Sequence, residues 1–207
     1  MLYVYQQVIM NNKGTGAGGA NTNVSGKSFE SKMSMQSKLI DKGYTKTITD
    51  KSCKFGYSLS KMIDDKIEIK YVKQIGLKKY IHFYHNTHEF PCLDELNHPD
   101  ECFIVTDTSR FVFKPKLIVI EMKNQNVSGS CFDKLYNGLY YKCLYNKLIG
   151  KYYDIEYHFV VSEFIENKIN KKPNLKQILQ ENNILVFNER DYQTAILNYI
   201  NSVILIF

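Results

Sequence analysis

The stretch that decides the fold is residues 116–125, with the sequence KLIVIEMKNQ. Its four consecutive aliphatic residues predict a β-strand that is buried on both faces, and charged residues follow them directly. Because side chains alternate along a strand, Glu121 and Lys123 are predicted to leave the same face side by side. This pair suggests a metal-dependent phosphodiesterase site, although a strand that simply reaches the protein surface also ends in such residues.

Composition predicts one soluble globular domain. Of the 207 residues, 44% are hydrophobic and 14% aromatic, and no apolar run approaches the roughly 20 residues needed to span a bilayer. We divide the chain into a flexible Gly/Asn-rich segment, residues 1–26, and a single folded domain, residues 27–207. The N-terminus lacks the features of a secretion signal, and the five cysteines include no CxxC motif, so we expect a cytoplasmic or otherwise intracellular protein with reduced thiols.

The charge balance favours a polyanionic partner. The formal net charge is +6, and Arg110 and Arg190 are the only arginines, so lysine carries almost all of the positive charge. Such a surplus attracts nucleic acid, although biased codon usage and a solvated surface would give the same composition. Nucleic acid is therefore the expected partner.

The order of predicted elements indicates an α/β protein of mixed α+β character, with a central mixed β-sheet flanked by helices. A helix is predicted from Lys27, with Phe29, Met33 and Ile40 on one face, and is followed by a hairpin of strands 66–75 and 79–85 that turns at Gly76. The remaining predicted elements are strands 101–106 and 111–121, a helix over 131–148, a strand over 152–165, a helix starting at Pro173, a short strand at 184–187 and a C-terminal helix.

A second carboxylate precedes the strand that starts at Glu101. Pro99 fixes the chain entering that strand, which places Asp100 where it is able to meet Glu121 on the neighbouring strand. Two carboxylates suit a hard cation such as Mg²⁺, with the main-chain carbonyl of Met122 as a further ligand. Lys123 would then lie beside the metal-bound water and the reacting phosphate.

These residues together resemble the PD-(D/E)XK nuclease superfamily, the fold of many type II restriction endonucleases. Pro99-Asp100 and Glu121-Met122-Lys123 match its motif, and Gln125, Gly129, Ser130, residues 133–135 and Phe29-Glu30 match its flanking pattern. The resemblance implies catalysis by Asp100, Glu121, Lys123, Glu30 and Gln125, Mg²⁺ ligation by Asp100, Glu121 and Met122, and DNA contacts by Lys27, Ser130 and Lys134. Glu30 is expected to be an auxiliary carboxylate or to hold a second metal, and Asp94 or Asp107 could replace Asp100.

The resemblance further implies cleavage of double-stranded DNA by a metal-activated water. A homodimer is expected if both strands of a palindromic site are cut, since the symmetry of the protein then mirrors that of the DNA. A catalytically silent DNA-binding module with the same fold is an alternative.

Two glycine-rich motifs offer nucleotide-binding alternatives. Gly14, Gly16 and Gly19 satisfy GxGxxG, but poor helix formers follow where a dinucleotide-binding fold needs a helix. Residues 26–28, Gly-Lys-Ser, match the end of a phosphate-binding P-loop whose acidic strand would be 117–121. Asn21 stands where that motif needs its first glycine, so a P-loop-like nucleotide-binding protein matches only half of the motif.

A set of histidines and cysteines raises the possibility of structural zinc. Its members are His82, His85, His88, Cys92, His98 and Cys102. Their spacing fits no standard zinc-ligand pairing, which favours ordinary strand and loop residues.

Overall fold

The protein is an α/β fold built on one open mixed sheet, seen in a computed structural model that describes residues 18–85, 92–110, 113–125 and 131–206. Within these residues the seven strands lie in the sheet in chain order: β1 Thr45–Ile48, β2 Tyr57–Ile63, β3 Ile67–Val72, β4 Glu101–Asp107, β5 Lys116–Lys123, β6 Asp154–Val161 and β7 Val186–Asn188. Strands β1 to β5 are antiparallel to their neighbours, whereas β6 and β7 continue parallel to β5.

Helices cover both faces of this sheet. They are α1 Gly18–Met33, α2 Gln36–Asp41, α3 Gly76–Tyr84, α4 Cys131–Ile149, α5 Glu163–Asn170, α6 Pro173–Glu181 and α7 Tyr192–Ile204. Residues of α3 to α6 share one core with Leu117 and Val119 of β5, and residues of α1, α2 and α7 share the other with Ile118 and Ile120. All four of these β5 side chains are fully buried, which confirms the prediction of a strand buried on both faces.

Helix α4 crosses from β5 to β6 and lies close against β6. Gly138 allows this approach, because a Cβ atom at that position would lie 2.6 Å from the ring of Phe159. The predicted helix over 131–148 is confirmed, and its packing brings Lys134, Asn137 and Tyr141 to the end of β5.

The predicted hairpin of strands 66–75 and 79–85 is wrong in its second half. Residues 76–84 form helix α3, which buries Leu77, Tyr80 and Ile81, positions that recur with helical spacing. The true neighbours of β3 are β2 and β4. The run from Tyr80 to Tyr84 is apolar enough for either structure, and its packing on the sheet decides for the helix.

The N-terminal predictions also need correction. Helix α1 begins at Gly18, so residues 18–26 of the segment predicted to be flexible, residues 1–26, are helical, and the earlier part lies outside the described residues. The predicted single helix is broken after Met33, and α2 buries Leu39 while Ile40 stays 49% exposed. Further along, the strand predicted over 152–165 ends at Val161, and α5 follows it.

The other predicted strands hold with shifted boundaries. Strands β4 and β5 form the expected antiparallel pair, and β5 begins after Pro115, which has no N–H to give to the ladder. The short strand and the C-terminal helix are present as β7 and α7. No helix in the described parts of the chain is long and apolar enough to cross a membrane.

Candidate active site

The candidate site lies where β4 begins and β5 ends. These strands are antiparallel with Glu101 opposite Ile120, and one further residue along this register places Asp100 opposite Glu121. The N–H of Met122 donates a hydrogen bond to Oδ2 of Asp100 over 2.6 Å. Because N–H and C=O of a strand residue leave the same edge, the Met122 carbonyl also faces the end of β4 where Asp100 lies.

The alternative acids lie elsewhere. Asp107 is at the far end of β4, where its carboxylate accepts hydrogen bonds from the backbone and hydroxyl of Ser109. Asp94 is exposed in a 3₁₀ turn, Leu93–Glu95. Of the three candidates, Asp100 is the one that the fold brings to Glu121.

The pKa values of both carboxyl groups are raised, which means that their ionised forms are disfavoured. Burial raises the pKa of Glu121 to about 7, and the nearby charge of Asp100 adds to this effect. Burial also raises the pKa of Asp100, against the hydrogen bond from Met122 and the charges of Lys123 and Lys73. A cation between the two carboxylates would relieve both effects.

Lys123 leaves the strand on the same side as Glu121, as predicted, and forms an ion pair with Oε1 of that carboxylate. The other oxygen, Oε2, is buried and has no hydrogen-bond partner among the described residues. A buried carboxylate oxygen without a donor is costly, which marks this oxygen as a position for a ligand.

Gln125 continues β5 and is held by its main chain. Its N–H donates to the hydroxyl of Ser162 over 3.4 Å, and that hydroxyl donates to the Gln125 carbonyl over 3.1 Å. The N–H of Ser162 also donates to the carbonyl of Lys123 over 3.1 Å. Ser162 therefore fixes the end of the strand that carries the site, while the described contacts of Gln125 involve only its backbone.

Glu30 approaches the pair from helix α1. Its pKa is raised by burial and by the charge of Asp100, against the opposing charges of Lys73, Lys123 and Lys27. Gln74 donates a hydrogen bond from Nε2 to Oε2 of Glu30 over 3.5 Å. Glu30 thus lies within electrostatic reach of the carboxylate pair.

Lys73 is a site residue that sequence reasoning missed. It directly follows β3, is only 9% exposed, and donates from Nζ to Oγ of Ser34 over 3.1 Å. Its positive charge acts on Glu30, Asp100 and Glu101. The available signal was a lysine near the end of the predicted strand 66–75, but that strand was assigned to a hairpin with residues 79–85 and not to the neighbour of β4 that it is.

Glu101 is a second site residue whose role the sequence did not reveal. It is fully buried and accepts hydrogen bonds from Tyr71 Oη (2.6 Å), the N–H of Met35 (2.9 Å) and Tyr192 Oη (3.0 Å). Burial raises its pKa against these donors. Glu101 therefore ties the region after α1, and helix α7, to the start of β4 beside Asp100.

A cleft of about 300 Å³ opens beside Glu121 on the face covered by α4. Its lining comprises Asn97, Glu121, Lys123, Lys134, Asn137, Tyr141 and Tyr157. Of the predicted DNA contacts, Lys134 lines this cleft, Lys27 is exposed on α1 close enough to act on Glu30, and Ser130 lies outside the described residues.

The oxygen ligands at the site fit Mg²⁺. Within the described residues no three His, Cys, Asp or Glu side chains form a metal-binding group. Asp100 and Glu121 are the two carboxylates that the register of β4 and β5 brings together. Mg²⁺ is commonly held by one or two carboxylates and keeps several waters, so this pair and the Met122 carbonyl match its chemistry. The unpartnered Oε2 of Glu121 is the observation that speaks for such a ligand.

The histidines and cysteines considered for zinc do not converge. His82 is exposed on α3, and His85 bonds through Nε2 to the hydroxyl of Tyr153 at 2.6 Å. Cys102 is buried in the core while Cys92 is exposed, and His88 lies outside the described residues. No three of the described members lie together in a group that could hold a metal ion.

The P-loop alternative is incompatible with the backbone. Residues 26–28 lie inside helix α1, where the backbone N–H groups are engaged in the helix and are not free to cradle phosphate. Of the GxGxxG glycines, Gly14 and Gly16 lie outside the described residues.

No protein-family model matches the chain, and no curated protein or solved structure matches it either. The motif residues and their positions in the fold are therefore the features that indicate a function.

Proposed function

We propose that this protein is a Mg²⁺-dependent DNA endonuclease of restriction type, with a restriction-endonuclease-like fold. The observation that supports this most strongly is the half-buried pair Asp100 and Glu121, where β4 begins and β5 ends, with Lys123 beside it and one buried carboxylate oxygen that has no donor among the described residues. Mg²⁺ bound there would supply an activated water for hydrolysis of the phosphodiester bond.

Each residue of the candidate site has a distinct role in catalysis. Asp100, Glu121 and the carbonyl of Met122 hold the cation, and the Met122 N–H keeps the Asp100 carboxylate turned toward it. Lys123 places its ammonium group where negative charge builds on the phosphate oxygens. Its ion pair with Glu121 keeps this group in position before DNA binds.

The residues around the carboxylate pair would bind DNA or lie near the cation. Lys27 and Lys134 are exposed on α1 and α4, helices that cover opposite faces of the sheet, and would contact DNA phosphates, as would Ser130. Glu30 adds a third carboxylate near the cation, and Gln125 follows Lys123 along the strand. The net charge of +6 attracts double-stranded DNA to the protein, and a homodimer would let it cut both strands.

The resemblance to the PD-(D/E)XK superfamily gains support from the order of these elements. The acid comes just before β4, and the Glu-x-Lys pair comes from the last positions of the adjacent buried strand β5. A mixed sheet with helices on both faces is also what the resemblance implies.

Plasmid cleavage with and without Mg²⁺, followed by mapping of the ends, tests the proposal. The wild type should cut only with Mg²⁺, Asp100→Asn should be inactive, and Asp94→Asn, which changes an exposed acid away from the site, should remain active. DNA binding without cleavage in the wild type would instead identify a catalytically silent DNA-binding module. Equal activity of Asp100→Asn and the wild type would contradict the assignment of the site.

A further inference from the structure

We infer that the cleft beside Glu121 receives one nucleotide of the substrate strand, either extruded from double-stranded DNA at the cut or already unpaired there. This inference deepens the proposed function and rests on it. The cleft opens directly beside Glu121 and Lys123, so whatever fills it is adjacent to the bond that is cut. It has a volume of about 300 Å³, at the small end of ligand sites, which suits one nucleotide.

Three buried polar atoms in the lining of this cleft have no hydrogen-bond partner among the described residues. They are Oδ1 of Asn97, Oε2 of Glu121 and the hydroxyl of Tyr157. Tyr157 is fully buried, so its hydroxyl is deprived of both solvent and a protein partner. Buried polar groups are almost always paired. The proposed cation would satisfy Oε2 of Glu121, and the amide oxygen and the phenol that remain indicate a polar ligand in the rest of the cleft.

An amide and a phenol are suited to the edge of a nucleobase. Asn97 offers an acceptor in its Oδ1 and Tyr157 offers a hydroxyl that donates or accepts, whereas phosphate needs only donors. A base within a duplex has its edge engaged in pairing, and it reaches such a pocket only when it is unpaired or extruded. The chemistry of the lining therefore favours a free base over a paired one.

Aromatic rings lead from the solvent to this cleft. Tyr140, 63% exposed on α4, lies 5.5 Å from the ring of Tyr141, and Tyr141 lies 6.3 Å from Tyr157 in a nearly parallel arrangement of 18°. Tyr136, one helical turn before Tyr140, is 43% exposed. Exposed tyrosines next to lysines such as Lys134 are the surface on which bases of a single strand stack.

Charge beside the rings fits a strand backbone. Lys134 and Lys123 line the cleft, and Asn137 of α4 adds an amide to the lining. A strand whose phosphates follow these lysines would place its bases against the tyrosines of α4, with one base in the cleft.

Fluorescence anisotropy in Ca²⁺ tests the inference, because Ca²⁺ takes the place of Mg²⁺ in oxygen sites while aligning the attacking water poorly. The probes are an oligo(dT) strand of about 16 nucleotides and a blunt duplex of the same length. The wild type should bind the single strand more tightly than the duplex. Tyr140→Ala should weaken single-strand binding about tenfold, the effect of losing one stacked base, and should leave duplex binding nearly unchanged.

Two further variants separate a binding role from a structural one. Phe113→Ala changes an equally exposed aromatic residue at the opposite end of β5 and should leave binding of both probes unchanged. Tyr157→Phe removes the unpartnered hydroxyl without a change of shape, and should weaken single-strand binding while the melting temperature is kept or raised. Unchanged binding by Tyr157→Phe would overturn the role of the hydroxyl.

Tighter binding of the duplex, or equal losses on both probes with Tyr140→Ala, would overturn the inference. If Mg²⁺-dependent plasmid cleavage is found together with that result, the proposed function stands and only the substrate class fails. Tyrosine-dependent single-strand binding without cleavage of any DNA supports the nucleotide cleft and overturns the nuclease.

Discussion

Both ends of strand β5 carry a lysine beside glutamate, but the carboxylates at the two ends differ in how many hydrogen-bond donors they have. At its start, Lys116 binds Oδ2 of Asp154 at 2.8 Å and Oε1 of Glu156 at 2.6 Å. At its end, Lys123 pairs with one oxygen of Glu121 and the other oxygen has no partner among the described residues. The first end is a closed network, and the second is open to a ligand.

Glu156 shows what a full set of donors does to a half-buried carboxylate. Leu185 donates its N–H to Nδ1 of His158 over 3.1 Å, so the proton of that ring is on Nε2 and faces Oε2 of Glu156 at 3.3 Å. Burial opposes ionisation of Glu156, but hydrogen bonds from His158, Lys116 and Tyr199 outweigh it and lower its pKa to about 2. Glu121, in contrast, has a pKa raised to about 7. The donors present, more than the residue type, distinguish a structural carboxylate from one held ready for a cation.

Removing the Glu121 carboxylate should have the largest effect on DNA cleavage. Glu121→Ala deletes a metal ligand, and we expect the single-turnover rate of DNA cleavage to fall by about a thousandfold or more. DNA binding should be kept or strengthened, because repulsion between carboxylate and phosphate is also removed. Glu156→Gln is the control at the other end of the strand and should cleave at the wild-type rate. Near-normal cleavage by Glu121→Ala would remove this carboxylate from the site.

Lys123 should follow with a smaller effect. If its ammonium group stabilises the charge that develops during hydrolysis, Lys123→Ala should lower the single-turnover rate about a hundredfold with little change in affinity. Lys116→Ala, the matched lysine at the start of β5, should affect stability alone. A variant at Lys123 whose affinity falls while its bound-state rate holds would make it an ordinary phosphate contact.

The two glutamates should respond to pH with opposite signs. The pKa of Glu121 is raised from 4.5, so its stabilising contribution is complete below that value and is lost as pH rises through about 7. Glu121→Gln should therefore be more stable than wild type at about pH 8, by about 2 kcal/mol, and gain little at about pH 5. The measurement is the free energy of unfolding in urea at both pH values.

Glu156 should show the reverse. Its pKa is lowered from 4.5 to about 2, so its contribution is present above 4.5 and is lost as pH falls through 2. Glu156→Gln should then be less stable than wild type by about 2 kcal/mol near neutral pH, because it loses hydrogen bonds to a charged group. Changes of the same sign in the two variants would contradict the contrast between the two ends.

Glu30 should have the smallest effect of the set. It acts on the two carboxylates through its charge, so Glu30→Gln should lower cleavage about tenfold, as outer partners of a metal site do. Glu163→Gln, an exposed change on α5, is the control. Loss as large as that of Glu121→Ala would make Glu30 a direct ligand.

Residues with strong local patterns were predictable from the sequence. Four aliphatic residues identified β5 as a strand buried on both faces, and the strand predicted just before it, with Asp100 directly ahead of Glu101, is its antiparallel partner β4. The same alternation placed Glu121 and Lys123 on one side. Local signals were enough here because the strands are neighbours in the chain.

Residues that depend on distant segments were not predictable. Lys73 is buried because Ser34, 39 residues earlier, comes to lie beside it, and Glu101 obtains a donor from Tyr192, 91 residues later. Helix α3 was mistaken for a strand because its apolar residues suit both periods, and packing on the sheet decides between them. Such contacts are properties of the folded chain and leave no local pattern.

Thermal unfolding in increasing Mg²⁺ at neutral pH tests most directly whether the end of β5 at Glu121 binds a cation. A cation that binds only the folded protein raises its melting temperature as the site fills. We predict a rise that saturates in the wild type, persists in Glu156→Gln from a lower starting temperature, and is lost in Glu121→Gln. An equal rise in Glu121→Gln, or none in the wild type, would contradict a cation site at this end of β5.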